Sequence, residues 1–456
     1  MNSQGRRDFL KNLTWMGAAA SCVGPMAGFK SVEGAGLDGK GVMGVRFAPL
    51  KTVKVGVIGL GRRGPSAVHR LSVIPGVEIV AVCDLIRERA EKQRKWLVGK
   101  GRREPFVYGG SKDAWKALCD RDDINLVYVA TPWKLHAPMC LYAMGAGKHV
   151  ACEVPIALTV EECWHLVEVS EKSGRHCMML ENCCYGPGEL FALMLCRAGV
   201  LGQLVHGEGA YLHSLANLKM RRNGYQGMWR LKFSEEHDGD PYPTHGLGPV
   251  CQYMDINRGD KMDYLVSVSS GQFGLTEFAR EHFGKEDGRT RTPYKLGDVN
   301  TTVIKTSRGR TIMVQHNTTT TRPYSRINSI TGTKGMLSDY PLRVALGHEW
   351  LDAGAFKDLR RKYQHPLWKQ AGELARRVGG HGGMDFLMDL RLCYCLQKGL
   401  PLDIDVYDSV SWSCLVELTE ISALKRGCSV EVPDFTRGAW KTAKPLDIVS
   451  IPKAFI

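Results

Sequence analysis

The chain predicts an α/β protein in two parts: an N-terminal domain with a parallel sheet and crossover helices, then an α+β domain with a large, mostly antiparallel sheet. Three observations carry this. Short apolar runs alternate with helical periods between residues 54 and 182, and strand–helix alternation of that kind joins parallel strands. The first run ends in a glycine-rich turn. Beyond residue 183 the apolar runs lengthen and turn residues separate them.

Bulk composition agrees. At 456 residues the chain is too long for one compact core. With 44% apolar and 24% charged residues it reads as an ordinary globular protein, and no run of about 18 apolar residues offers a membrane span. The 15 cysteines are spaced against a disulfide framework: Cys183 and Cys184 are adjacent, and Cys393 and Cys395 are too close to pair. No C-x-x-C occurs, which argues against a zinc site. Most cysteines sit in apolar runs such as "AVCDL" and "HCMML", where they act as small core residues.

Taken in order, residues 1–31 stand apart. "GRRDFLKNLTWMGAAASCVGPMAG" has a polar head bearing Arg6 and Arg7, a moderately apolar run, then small residues. It resembles a twin-arginine export signal, an address rather than part of the fold. The expectation is a periplasmic or cell-surface protein. Cys22, after Ala19-Ala20-Ser21, offers a lipid-anchor position, although the box lacks its usual leucine.

The first domain is placed at 51–182. "KVGVIGLG" (54–61), "VEIVAVCDL" (77–85), "INLVYVATP" (124–132), "HVACEV" (149–154) and "HCMMLEN" (176–182) read as buried strands, with helices such as 135–146 and 159–174 between them. The second domain, 183–456, contains "LVHGEGAYLHS" (204–214), "YLVSVSSGQFG" (264–274) and "NTTVIKTSRGRTIMVQHNTTTT" (300–321). In the last of these, "SRGRT" suggests an antiparallel hairpin. Residues 355–398 read as helical. The antiparallel sheet is a surface on which a homo-oligomer could form.

Gly59-Leu60-Gly61-Arg62-Arg63-Gly64 is a G-x-G-x-x-G that follows a strand and opens a helix. The first glycine permits the turn, the second lets backbone approach a pyrophosphate, and the third lets helix and strand pack closely. The helix N-terminus then faces the phosphates. Asp84, twenty residues on, is placed for the adenine ribose hydroxyls and favours NAD over NADP. Arg62 and Arg63 are the residues that would reverse that preference by binding a 2′-phosphate. The formal charge of +14 is concentrated partly in "RERAEKQRKWLVGKGRREP" (87–105). That run reads as a solvated helix face that could draw the protein to acidic glycans. No nucleic-acid motif accompanies it.

"GVIGLGRRG", "CDL", "ATPWKLHAPMCLYAMGAGKHVACEVPIALTVEEC" and "LENCCYGP" together resemble the glucose–fructose oxidoreductase / inositol dehydrogenase / MocA superfamily, over nearly all of 51–456. With "ENCCYG" and "PYPTHGLGPV" the variant is similar to glycoside hydrolase family 109, exported NAD-using α-N-acetylgalactosaminidases. The resemblance implies a Rossmann NAD-binding domain. It places Trp133, Lys134, Leu135 and His136 on the nicotinamide side, and Glu153, Val154 and Asn182 against the cofactor. Superfamily dehydrogenases carry a Glu-Lys-Pro tripeptide at 153–155; here the lysine position is Val154, which cannot move a proton.

A glycosidase removing terminal α-linked N-acetylgalactosamine from a glycan or glycoprotein accommodates that loss. An exported protein has no pool of fresh NAD, so a trapped cofactor must be restored within each turnover. Transient oxidation at C3, C2 deprotonation, elimination of the glycosidic oxygen, water addition and re-reduction do this without a paired-carboxylate site. His245 in "YPTHG" is the expected proton carrier, and Tyr185 the candidate for the C2 proton. Tyr211, Arg230, Tyr242, Pro243, Thr244, His245 and Tyr324 match the family's substrate positions, and Trp229 could stack on a sugar. His381, flanked by glycines, is a candidate to line the site. No metal is expected. The alternative is an NAD(P)-dependent sugar dehydrogenase or sugar–sugar oxidoreductase; a sugar-binding protein without turnover is a third reading.

Overall fold

The structure, a computed structural model, describes residues 41–456. The proposed export segment and Cys22 lie outside the described residues.

Among the described residues the first sheet has six parallel strands: β1 (Val53–Ile58), β2 (Val77–Asp84), β3 (Phe106–Gly109), β4 (Leu126–Val129), β5 (His149–Cys152) and β6 (Cys177–Met179). Helices α1 (Gly64–Leu71), α2 (Arg87–Gly99), α3 (Ala114–Cys119), α4 (His136–Gly145) and α5 (Val160–Ser173) connect them. The spatial order is β3-β2-β1-β4-β5-β6. Every residue of β4 and β5 is buried, as expected for a parallel sheet covered on both faces. β3 escapes the hydrophobic pattern because it is a half-exposed edge strand. The strand order reverses between β1 and β4, and such a switch point opens a crevice at the strands' carboxyl ends. Gly59, Thr131, Glu153 and Asn182 follow strand ends there, and Asp84 is the last residue of β2. Local signals set the helix limits: the Thr159 side chain accepts from the Glu162 N–H at 3.1 Å, and Gly174 ends α5 in the left-handed region (φ 58°).

The second sheet has nine strands: β7 (Leu204–Leu212), β8 (Met262–Ser269), β9 (Asn300–Thr306), β10 (Thr311–Asn317), β11 (Ser329–Gly332), β12 (Gly335–Ser338), β13 (Arg343–Leu346), β14 (Glu349–Trp350) and β15 (Val430–Glu431). Their order is β14-β13-β12-β11-β7-β10-β9-β8-β15. Pairing is antiparallel except between β7 and β10. The β9–β10 hairpin forms at "SRGRT", as expected. β9 alternates buried and open residues, so one face is covered and the other is open.

Helices α6 (Pro187–Arg197), α7 (Ala216–Met220), α8 (Trp229–Glu236), α9 (Thr244–Tyr253) and α10 (Gly274–His282) surround this sheet. The 355–398 region forms α11 (Ala353–Lys362), α12 (Pro366–Val378) and α13 (Met384–Lys398), and α14 (Val406–Ser413) and α15 (Leu415–Leu424) follow. Helix α13 returns to the first domain and packs on α1, where Arg70 donates to Asp389 at 2.7 Å. One continuous apolar core therefore joins the two parts. The fourteen described cysteines are free thiols, mostly buried.

Candidate active site

The glycine turn fits a dinucleotide. Gly59 has φ +92°, and a Cβ there would meet the Ala130 carbonyl oxygen at 2.5 Å. A Cβ on Gly64 would lie 1.9 Å from the Gly59 oxygen. The middle glycine differs: around Gly61 only Arg89 Nη1 comes near, at 3.8 Å. The outer two glycines are therefore required by backbone packing, and the central one leaves the open cradle a pyrophosphate needs. Asp84 closes the turn, accepting from the Leu60 N–H at 2.6 Å and the Ile86 N–H at 2.8 Å.

The two arginines of the motif are already committed. Arg62 donates to the Gly224 carbonyl at 3.4 Å and sits 5.6 Å from the Tyr225 ring. Arg63 donates to Glu153 at 2.9 Å and pairs with Asp385 at 3.1 Å. Neither is a free cation beside Asp84; the cation that stands there is Arg89, whose Nη1 lies 3.7 Å from the Asp84 carboxylate. Asn182 donates to Asp385 at 2.5 Å, and His381 Nδ1 lies 3.0 Å from the same carboxylate. Arg63, Glu153, Asn182, His381 and Asp385 thus form one polar network at the sheet's carboxyl end. Burial alone would push the Asp385 carboxyl up; His381, Arg63 and Arg70 overcome it and hold the group far below its ordinary range.

Residues 133–136 divide. Trp133 is buried, lines the substrate-side pocket, and donates from Nε1 to the Val154 carbonyl at 3.1 Å. The side chain of Lys134 is exposed and pairs with Glu236 at 2.9 Å, and Leu135 is also exposed. The His136 ring is buried, with its nitrogens 2.7 Å from the Pro155 and Thr131 carbonyls. The last three side chains do not line the pocket, because the turn entering α4 points them to solvent or into the interior; His136 ties the Thr131–Pro132 turn to the cis Val154–Pro155 step. Val154 itself is buried.

His245 is the second residue of α9. Its Nδ1 lies 2.7 and 3.0 Å from the two oxygens of Glu181, a side chain with 0% exposure just beyond β6. A carboxylate there makes Nδ1 the N–H donor and leaves Nε2 as the acceptor. Burial raises the Glu181 carboxyl; the His245 ring and the Cys183 N–H outweigh this and bring it below the ordinary range. Atoms of Glu181, Cys183 and His245 fall within 4.8 Å of one another, close enough for a metal. A metal would have to displace the Glu181–His245 hydrogen bond and take its proton, and burial drives the Cys183 thiol well above its ordinary value. The arrangement is better suited to holding a proton.

The rings of Tyr211 and Tyr242 stand edge-on to His245, with centroids 5.3 and 4.8 Å away. They line a small pocket with Trp133, Phe233 and Arg230. The Arg230 guanidinium lies 4.6 Å from the Trp133 and Tyr225 rings, 5.0 Å from Tyr242 and 5.3 Å from Trp229. This is a cation held by aromatic faces, and its Nε has no hydrogen-bond partner. His316 Nδ1 is likewise buried and unpartnered in the pocket wall. Buried polar atoms without partners are costly, and the space beside them, about 10 Å³, is that of a single water. Pro243 and Thr244 are buried where α9 begins. Tyr324 stands at the rim, 6.3 Å from Tyr211, and accepts from Arg326 at 3.0 Å.

Tyr185 is not among the residues that line this pocket. Its ring is buried away from this pocket, and its hydroxyl donates to Asp403 at 3.2 Å, beside Arg391. Burial and Asp403 push the phenol well above its ordinary value.

Two groups were missed by sequence reasoning. Glu181 sits in "LENCCYGP" with no local pattern to mark it; its partner His245 is 64 residues away. Lys219 carried no signal in "LANLKM", yet it is buried in the pocket wall and donates to Ser234 at 3.1 Å. Burial, helped by the Arg230 charge, lowers its ammonium to about 7.

Two family models divide the chain: an oxidoreductase family with an NAD-binding Rossmann fold matches residues 53–181, and the glycosyl hydrolase 109 C-terminal domain matches residues 185–442. An α-N-acetylgalactosaminidase from Bacteroides fragilis is 48% identical over 88% of this chain and 96% of its own. A glycosyl hydrolase family 109 protein from Shewanella pealeana is 46% identical over 97% of this chain and 99% of its own. Among solved structures, a levoglucosan dehydrogenase with NADH and levoglucosan superposes with TM-score 0.64 at 20% identity, over 84% of this chain and 100% of that one. An aldose–aldose oxidoreductase from Caulobacter crescentus gives 0.59 at 18%, over 83% of this chain and 99% of that one. These likenesses establish the fold. An NAD-type Rossmann domain, the matched C-terminal domain and relatives of this identity over nearly the whole chain lead to one assignment: the protein is a glycoside hydrolase and belongs to family 109.

Proposed function

We propose that the protein removes terminal α-linked N-acetylgalactosamine from glycans, using an NAD that stays bound and is restored in each turnover. The observation that carries this is the pairing of two features at one crevice: a glycine cradle shaped for a dinucleotide, and a histidine backed by a buried carboxylate instead of a lysine. The 48% identical relative named α-N-acetylgalactosaminidase supports the choice of sugar.

Bound NAD would supply reversible two-electron oxidation of a sugar hydroxyl, which makes the neighbouring C–H acidic. The chain's own residues do the rest. Gly59, Gly61 and Gly64 admit the pyrophosphate, and Asp84 faces the adenine ribose. Glu153 and Asn182, fixed by Arg63 and Asp385, border the nicotinamide side. His245 Nε2 accepts the proton of the C3 hydroxyl and returns it later, while Glu181 stabilises the imidazolium between those steps. Tyr211, Tyr242 and Trp133 present apolar faces to the sugar and its acetyl methyl, and Arg230 offers Nε–H to an acceptor on it. Lys219, buried in the pocket wall with Tyr211 and Arg230, is the group to which this reading gives the C2 proton. Water then adds at C1.

The test is the C2 proton. A substrate deuterated at C2 should lose its label to solvent during hydrolysis or show a primary isotope effect. Full-rate hydrolysis with the label retained would exclude elimination. We also propose export by the twin-arginine route; an Arg6→Lys/Arg7→Lys precursor retained inside cells supports it, and an unchanged distribution overturns it.

A further inference from the structure

A second cleft, of about 420 Å³, lies away from the crevice between α6, α11 and α12. That is within the roughly 300–1,000 Å³ of ligand pockets. Four cations line it: Lys357, Arg360, Arg361 and Arg376. No carboxylate does. Arg361 is paired with Asp358 at 3.2 Å, and among the described residues Lys357, Arg360 and Arg376 make no ion pair. Glu373, on α12, is exposed and does not line the cleft.

Aromatic faces complete it. Phe191 and Phe356 meet edge to face at 6.3 Å. The Arg360 guanidinium is 5.9 Å from the Phe356 ring, and that of Arg376 is 5.2 Å from the Trp368 ring. Trp368 is pinned by its Nε1–H, which donates to the Tyr185 carbonyl at 2.9 Å. Rigid rings flanked by unpaired guanidinium groups suit a ligand with flat apolar faces and fixed anionic groups. Guanidinium groups bind carboxylate and sulfate oxygens through paired hydrogen bonds, and rings pack against the C–H faces of sugars.

The cleft also shares an element with the catalytic crevice. Helix α6 carries Phe191 into the cleft. It also carries Glu189, whose carboxylate accepts from Arg326 at 2.9 Å; Arg326 in turn donates to Tyr324 at the pocket rim.

We propose that this cleft is a secondary site for an acidic oligosaccharide, holding its sulfated or carboxylated sugars. The inference rests on the glycosidase reading for its ligand, but its assay requires no turnover. The full chain as purified is titrated with a chondroitin sulfate tetrasaccharide by calorimetry, beside neutral chitotetraose, inorganic sulfate and a short oligothymidylate. The same titrations use an Arg360→Ser/Arg376→Ser variant.

The expected result is saturable binding of the tetrasaccharide, weakened by salt, at least about tenfold weaker in the variant. Hydrolysis of p-nitrophenyl α-N-acetylgalactosaminide should be the same in both. Equal binding by both proteins overturns the proposal. So does inorganic sulfate or the oligothymidylate binding as tightly as the tetrasaccharide. So does a change of sedimentation coefficient in the variant, which would make the cleft a contact between copies. A wild type that binds the tetrasaccharide but does not cleave the nitrophenyl substrate would sink the glycosidase reading and leave the site standing.

Discussion

Replacing Glu181 by glutamine separates the charge behind His245 from the shape of the site. Glutamine is nearly isosteric, and its amide oxygen can still accept from Nδ1. The change therefore removes a full negative charge from a fully buried position 2.7 Å from the imidazole. Hydrogen bonds to charged groups contribute about 1.5–3 kcal/mol, roughly double the neutral kind. In the mechanism above, that charge matters most when His245 carries the extra proton, so the loss falls on the transition state. With the neutral bond kept, about half of that is lost, and at about 1.4 kcal/mol per decade kcat should drop roughly 3- to 12-fold. KM should move little, because Glu181 touches His245 and not the sugar. Steady-state hydrolysis of p-nitrophenyl α-N-acetylgalactosaminide measures both, with a melting curve to show that the variant is folded. Glu181 is a positioning residue, so the same substitution in a His245→Ala background should cost almost nothing further. A folded Glu181→Gln variant with wild-type kcat, or an undiminished penalty without His245, would refute the pairing.

Three further outcomes follow from the same geometry. Val154→Lys should lower the melting temperature and give no gain in activity, since an ammonium there enters a buried site where Glu153 is already taken by Arg63; a more active variant would mean the proton path is misassigned. Lys219→Met should lower kcat by roughly 10²-fold or more and abolish the limb of the rate profile near pH 7; an unchanged profile would remove Lys219 from proton transfer. Burial raises the Asp240 carboxyl to about 7, whereas an unfolded aspartate titrates near about 3.9. The folded state thus holds the proton more tightly, and stability is lost as pH rises from about 4 to about 7, by an order of a few kcal/mol. Asp240→Asn should flatten that decline in melting temperature, and an equally steep decline would contradict the assignment.

Much of the first domain could be read from the chain because its signals are local. Gly59, Gly61, Gly64 and Asp84 act through backbone geometry within a few residues of one strand end, and spacing alone exposes them. The buried strands appear as continuous apolar runs for the same reason. Edge strand β3 did not appear, because half its surface faces solvent and no apolar pattern is needed. The candidate catalytic groups were legible only in part. His245 stood out in a shaped loop, but Glu181 looks like an ordinary strand end until the fold brings α9 against it. Tyr185 shows the reverse case. It follows Asn182 by three residues, yet the short 3₁₀ turn over Asn182–Tyr185 sends Asn182 to Asp385 and Tyr185 to Asp403. Closeness in sequence said nothing about direction. Lys219 was invisible because only the packing of α7 against α8 and the pocket takes its amine out of water.

The central claim is that the dinucleotide remains in the protein and is regenerated there. Denaturing the purified enzyme and measuring the released nucleotide tests it most directly. A permanently held cofactor predicts close to one NAD per chain, with hydrolysis that needs no added NAD and leaves no net NADH. A protein that releases no dinucleotide, and whose hydrolysis is indifferent to supplied NAD, would contradict it.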